Sequence, residues 1–169
     1  MLEALQVQNF HPQSDVDIDC NRTMVIKTCQ RVLAISHNEQ NNQHQITEGQ
    51  NRLHGPEAYE FLLEIICGLQ SKLVGENEIV GQFKNAYRDY CKQSDKSSIL
   101  LLVLEKLFKD AKEIRSNYLM GLCQKTYASI ARKHIVNIHK AGEVLILGSG
   151  ALAEDLINQF KKKATVYIS

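Results

Sequence analysis

The sequence predicts a helix-rich α+β domain over residues 1–141, followed over 142–169 by an incomplete β-α-β unit of a parallel sheet. Three observations predict it. Short apolar and β-branched stretches recur in the first 36 residues. Apolar side chains then recur at helical spacing in four segments between Gly55 and Lys140. After Ala141-Gly142 the pattern becomes strand, glycine turn, helix and strand.

Residues 5–9 and 24–26 read as short strands; the second leads into residues 28–31, a strand end or loop, and residues 32–36 continue it. Residues 37–51 are too polar to pack a core and read as a surface loop. Gly55-Pro56-Glu57 opens the first helix, with proline tolerated in the first turn and an early acid suiting the helix dipole. Tyr59, Leu62, Leu63 and Ile66 give it one apolar face, and Gly68 ends or bends it. A second helix presents Ile79, Phe83, Tyr87 and Tyr90. Ser97 or Ser98 caps a third, whose face is Leu100, Val103, Leu104, Leu107, Phe108, Ala111 and Ile114. A fourth, around residues 124–140, presents Tyr127, Ile130, Ala131, His134 and Ile138. His134 there reads as a core or boundary histidine rather than a catalytic one. Residues 143–147 form a buried-type strand, 151–163 a helix and 164–168 a second strand. Lys161-Lys162-Lys163 closes that helix, where positive charge complements the dipole.

A chain of 169 residues suffices for one compact domain, or for one domain plus a fragment. The longest apolar run, residues 99–104, is far short of a membrane span. The N-terminus lacks a basic segment followed by an apolar core. A cytoplasmic protein without membrane contact is expected. Five cysteines are an odd number, and no Cys-x-x-Cys occurs, which argues against a disulfide framework and a zinc ribbon. No metal site is expected. Most of these cysteines read as small buried hydrophobes. A net charge of +1 argues against a strongly basic nucleic-acid grip.

The most informative stretch is residues 68–87, Gly-Leu-Gln-Ser-Lys-Leu-Val-Gly-Glu-Asn-Glu-Ile-Val-Gly-Gln-Phe-Lys-Asn-Ala-Tyr. It sets Ser71, Glu76 and Gln82 between apolar residues. Ser71 can donate or accept a hydrogen bond, and Glu76 and Gln82 can orient backbone or substrate groups. The plainer reading is that Ser71 and Glu76 cap helices. Upstream, Lys27-Thr28-Cys29-Gln30-Arg31 sets a cysteine beside an arginine, a cationic environment that favours a thiolate. A cysteine so placed is otherwise structural. His54 precedes the first helix, as a surface histidine or a functional one. Downstream, Gly148-Ser149-Gly150-Ala151-Leu152-Ala153 follows a strand and opens a helix. The first glycine permits the turn, the second lets backbone approach a pyrophosphate, and Ala153 permits close packing. The helix N-terminus favours phosphate.

These three segments, in this order, resemble the glutamyl-tRNA reductase family. The resemblance covers roughly residues 24–169. It implies NADPH-dependent reduction of glutamyl-tRNA to glutamate-1-semialdehyde, the first step of tetrapyrrole (porphyrin, haem) biosynthesis. It implies that Cys29 is a nucleophile forming a thioester, and that His54, one position out of step, is catalytic or substrate-orienting. Thr28, Arg31, Ser71, Glu76 and Gln82 would bind substrate. Gly148, Ser149, Gly150, Ala151 and Ala153 would hold NADPH at the start of a Rossmann-type domain. Family members are longer and add the rest of that domain and a helical region for homodimerisation. Two departures stand out: Gln30 replaces an asparagine, and Leu33 stands where the family carries a glutamate. They support an alternative, a catalytically degenerate relative acting as a binding or regulatory partner.

Overall fold

The structure, a computed structural model, describes residues 2–13, 18, 22–37, 51–122 and 126–169. The chain divides into two compact units, Met1–Met120 and Gly121–Ser169.

The first unit is built on a four-stranded antiparallel sheet. Its strands are β1 (Leu5–Phe10), β2 (Thr23–Lys27), β3 (Val32–His37) and β4 (Asn51–His54), in the order β2-β3-β1-β4. Side chains alternate across a strand, so the register sorts the residues onto two faces. Leu5 and Val7, Met24 and Ile26, and Leu33 and Ile35 share one face and are almost wholly buried. Phe10, Val32 and Ala34 share the other and form a smaller cluster, with Ile18 and Val25 packed against it. Both faces of β3 are therefore apolar, as its central position in the sheet requires.

Three helices follow: α1 (Gly55–Ile66), α2 (Glu78–Cys91) and α3 (Ser98–Tyr118). Most residues expected from periodicity are buried, while Leu63, Tyr87, Phe108 and Ile114 are half-buried and Ala58 and Ile65 are buried in addition. The buried ones include Tyr59, Leu62 and Ile66 of α1, Ile79, Phe83 and Tyr90 of α2, and Leu100 to Ala111 at helical spacing on α3. Burial of each large aliphatic side chain contributes roughly 1.5–3 kcal/mol. Ser97 caps α3, accepting a hydrogen bond from the Leu100 nitrogen at 3.3 Å. The Tyr90 hydroxyl accepts from the Ser97 nitrogen at 2.7 Å and donates to the Arg22 carbonyl at 3.3 Å. It thereby ties the α2–α3 turn to the start of β2.

Two expectations change here. Residues 32–37 form a separate strand, and residues 51–54 form β4, although the sequence there is polar. Asn-Arg-Leu-His has no apolar alternation of its own; it becomes a strand by pairing with β1. Residues 38–50 of the expected loop lie outside the described residues.

The second unit contains α4 (Tyr127–Arg132), which continues as a π-helical turn over Lys133–Ile138. Thr126 and Ser129 form a reciprocal capping box at its start. Then come β5 (Glu143–Ile146), α5 (Ala151–Phe160) and β6 (Thr165–Ile168). β5 and β6 pair in parallel through α5, as the sequence predicts, but β5 is not the buried-type strand expected: Ile146 is buried while Leu145 is exposed. α5 stops at Phe160, so the three lysines follow the helix rather than closing its last turn. α4, assigned from sequence to the first domain, packs on α5 instead. His134 is exposed, not a core or boundary residue. The Tyr127–Ile138 stretch buries only Ala128.

Candidate active site

Lys27 opposes Val32 in the β2–β3 pair, which leaves residues 28–31 as the turn of a hairpin. Thr28 organises that turn. Its nitrogen donates to the Arg31 carbonyl at 2.9 Å, and its hydroxyl donates to the same oxygen at 3.0 Å. The hydroxyl also accepts from the nitrogens of Gln30 and Arg31, at 3.2 and 3.0 Å. Such side-chain-to-backbone bonding is what threonine offers a turn. Cys29 stands at the tip, exposed and with its thiol free.

α1 begins at the opposite end of the sheet, directly after β4. Its 12 residues carry the chain back about 18 Å, at 1.5 Å per residue, to the end that bears the Cys29 turn. It closes in a Schellman motif: Leu69 N donates to Glu64 O at 2.9 Å, and Gly68 N to Ile65 O at 2.8 Å. Gly68 takes φ +74°, the left-handed conformation this motif demands. The loop from 68 to 77 then folds back on itself, with Gly75 N donating to Gly68 O at 3.0 Å.

Two arginines hold this loop in place. Arg31 Nη1 donates to Gln70 Oε1 at 2.6 Å, and Nη2 reaches the Gln70 carbonyl at 3.5 Å. Gln70 Nε2 in turn donates to Glu64 Oε2 at 2.7 Å. Partial burial holds the Arg31 guanidinium below its ordinary pKa; it remains a cation at any physiological pH. From the other side, Arg115 of α3 donates to the carbonyls of Cys67 at 2.9 Å, Ile66 at 3.4 Å and Gly75 at 3.0 Å, and to Asn77 Oδ1. The turn that carries Cys29 and the loop that carries Ser71 and Glu76 are thus joined.

Neither Ser71 nor Glu76 acts as a helix cap. The Ser71 nitrogen donates to Gly68 O at 3.3 Å, and α2 starts at Glu78 after Asn77. Gln82 lies half-buried in the second turn of α2. His54 is not brought to the turn. Thr23, Ser36, Gln6 and His54 share one row of the sheet, while Lys27, Val32 and Phe10 share another, four residues away. At roughly 3.3 Å per residue and 4.8 Å per strand, His54 lies about 13 Å along and about 14 Å across from the hairpin end. Gln70, Glu64 and Arg115 were not singled out by the sequence. Gln70 sits inside the 68–87 motif, but its partner is 39 residues away.

In the second unit, Gly148 takes φ +112°, and its nitrogen donates to Ser169 O at 2.9 Å. Gly150 is the residue before α5. A Cβ at either glycine would meet nothing within 4 Å, so the backbone between β5 and α5 is open to approach. The Ala153 side chain is buried, as close helix packing requires. Ser149 and Ala151 are exposed beside the turn. The described residues hold no cluster of three or more histidine, cysteine or acidic side chains able to hold a metal ion.

Fold and turn together define a helix-covered antiparallel sheet carrying an exposed cysteine at a hairpin tip. The family model described as "Glutamyl-tRNAGlu reductase, N-terminal domain" matches residues 4–118, and the chain belongs to that family. Among curated relatives, the glutamyl-tRNA reductase of Francisella philomiragia is 35% identical over 104 residues, covering 59% of this chain and 25% of the relative. That of Francisella tularensis subsp. holarctica is 34% identical over the same length and coverage. Glutamyl-tRNA reductase from Methanopyrus kandleri has a similar fold, with TM-score 0.67 and 17% identity over 98% of this chain and 49% of its own. The aligned part thus spans a quarter of the curated relatives' length.

Proposed function

We propose that this chain carries the substrate-binding, thioester-forming part of a glutamyl-tRNA reductase. The observation that carries the reading is the exposed Cys29 at a turn which Arg31 ties to the loop of Ser71 and Glu76. The Cys29 sulfur attacks the ester carbonyl of glutamyl-tRNA, and the tRNA ribose oxygen leaves with a proton. The resulting thioester is a better hydride acceptor than the ester. Arg31 offers its cationic donors to a substrate carboxylate, and Ser71 and Glu76 orient the amino-acid part. Thr28 shapes the turn, since its hydroxyl is engaged with Arg31 and Gln30.

The residues at 148–153 fit a dinucleotide: an open glycine turn, an α5 N-terminus and a buried Ala153. Glu154 in the first turn of α5 is the acidic group a phosphate would meet. Gly148, Ser149, Gly150 and Ala151 would hold the diphosphate of NADPH. When bound, NADPH supplies the hydride that converts the thioester to glutamate-1-semialdehyde and returns the Cys29 sulfur. The product would enter tetrapyrrole synthesis, in the cytoplasm. No helix among the described residues is long and apolar enough to cross a membrane. Homodimerisation through a region outside this sequence belongs to the same proposal.

A second reading rests on two observations. Leu33 is 0% exposed in the middle of the sheet, where the resemblance would place an acid. His54 lies at the far end of the sheet from Cys29. A relative without catalysis, acting as a binding or regulatory partner, fits both.

The deciding measurement is acyl transfer from labelled glutamyl-tRNA to this chain, trapped at acid pH. Label on Cys29 that disappears in Cys29→Ser supports the enzyme. Absence of label with tRNA binding retained supports the partner.

A further inference from the structure

Among the described residues, Arg31 is the cation of the Cys29 turn that hydrogen-bonds the 68–87 segment, yet its contacts are neutral. Both acceptors belong to Gln70: the side-chain amide oxygen at 2.6 Å and the backbone carbonyl at 3.5 Å. The nearest carboxylate in the chain of bonds, Glu64, is one residue removed, accepting from the Gln70 amide nitrogen at 2.7 Å. Among the described residues, the remaining guanidinium N–H groups have no other acceptor. A glutamate at position 70 could accept the same bond, but it would neutralise the cation and could no longer donate to Glu64.

We propose that Gln70 is a positioning residue: it holds the guanidinium of Arg31, two residues from Cys29 in the same turn, while leaving its charge free for the carboxylate of an incoming acyl substrate. Glu64 fixes the amide. Its acceptor oxygen dictates that the Gln70 NH2 faces α1, and therefore that the Gln70 carbonyl oxygen faces Arg31. The relay Glu64–Gln70–Arg31 thus sets both the direction of the guanidinium and its net charge. The ligand class it selects is an acyl compound bearing a free carboxylate. Neutral acyl compounds gain nothing from it. This deepens the proposed function by naming what sets anion preference at the Cys29 turn, and it rests on Cys29 being the reacting group.

The test reads charge preference without needing tRNA, NADPH or turnover. Cys29 in this chain is alkylated with anionic iodoacetate and, separately, with neutral iodoacetamide. The ratio of the two rates at Cys29 is followed by peptide mass spectrometry and referred to the same ratio for N-acetylcysteine. A single unit charge acting through solvent over several ångströms changes such a ratio about three-fold. We expect the unmodified chain to favour iodoacetate by about that factor. Gln70→Glu and Arg31→Met should each abolish the preference. Gln70→Met, which keeps the charge but loses the aim, should lower it, and Glu64→Gln, which keeps an acceptor for the Gln70 amide and removes a negative charge, should not lower it. Lys27→Ala checks that the neighbouring lysine is not the source, and should leave the ratio unchanged. Melting temperatures within a few degrees across the set separate aim from misfolding. A Gln70→Glu chain that melts normally and keeps the full preference overturns the proposal. So does a preference that survives Arg31→Met. A chain with the predicted ratios that takes no acyl group from glutamyl-tRNA would sink the reductase reading and leave this one standing.

Discussion

A Cβ on Gly68 would lie 3.0 Å from the backbone nitrogen of Glu76 and 3.2 Å from its carbonyl oxygen. The end of α1 and the end of the loop that bears Ser71 touch backbone to backbone. No side chain fits between them.

Gly68→Ala should therefore destabilise the first unit by about 2–3 kcal/mol, combining left-handed strain with a backbone clash. Gly81→Ala is the counterpart. Gly81 lies in α2 with nothing within 4 Å of its Cβ position, so alanine should stabilise by about 0.5–1 kcal/mol. Urea unfolding of both variants decides; loss of stability in the second, or none in the first, contradicts the geometry.

Arg115→Met should loosen the loop from the helical side. The substitution leaves the carbonyls of Ile66, Cys67 and Gly75 without their guanidinium donor. A cost of about 2–3 kcal/mol follows from the loss of these guanidinium bonds to partly buried acceptors. Amide exchange over residues 68–77 should accelerate more than exchange over Leu100 to Ala111. Uniform acceleration across both would mean that Arg115 serves the whole fold rather than the loop.

A clasp between α1 and α3 gives a pH dependence. The Tyr59 hydroxyl donates to Asp110 Oδ2 at 2.9 Å, and Lys106 pairs with the same carboxylate while standing 5.3 Å from the Tyr59 ring centroid. The Lys106 hydrogen bond and then that of Tyr59 hold the Asp110 carboxyl below its ordinary range. A depressed pKa contributes stability that is complete above the unfolded value, near 3.8, and is lost as pH falls through the folded one. The pair is substantially exposed, so about 0.5 kcal/mol is expected from it. Asp110→Asn should lower stability at pH 6, and the difference should shrink as pH falls below 3.8. An equal loss above and below that value would rule out the charge as the cause. Tyr59→Phe should cost about 1 kcal/mol at pH 6, for one lost hydrogen bond.

Among the described cysteines, Cys29 is exposed, Cys91 half-buried and Cys67 1% exposed. Iodoacetamide at neutral pH should therefore modify Cys29 first, Cys91 next and Cys67 only on unfolding. Peptide mapping over time checks the order, and early modification of Cys67 would contradict its burial.

Much of this protein was legible from local pattern. The faces of α1, α2 and α3, the Ser97 cap and the stop at Gly68 all depend on residues within a few positions of each other. Helix periodicity, capping and glycine conformation act over that range, so the sequence alone carries them. What lay beyond it depended on pairing between distant segments. Asn51–His54 is a strand because β1 lies beside it, and its polar residues carry no such signal. His54 stands next to α1 in sequence, yet the antiparallel register sends it to the far end of the sheet from Cys29. Arg31 finds Gln70 across 39 residues, and Arg115 reaches Cys67 across 48. The cysteine turn and the 68–87 motif could each be recognised separately in the chain. Only the tertiary structure joined them, because α1 runs back along the sheet and the two arginines bind backbone carbonyls and the side-chain amides of Gln70 and Asn77, all distant from them in sequence.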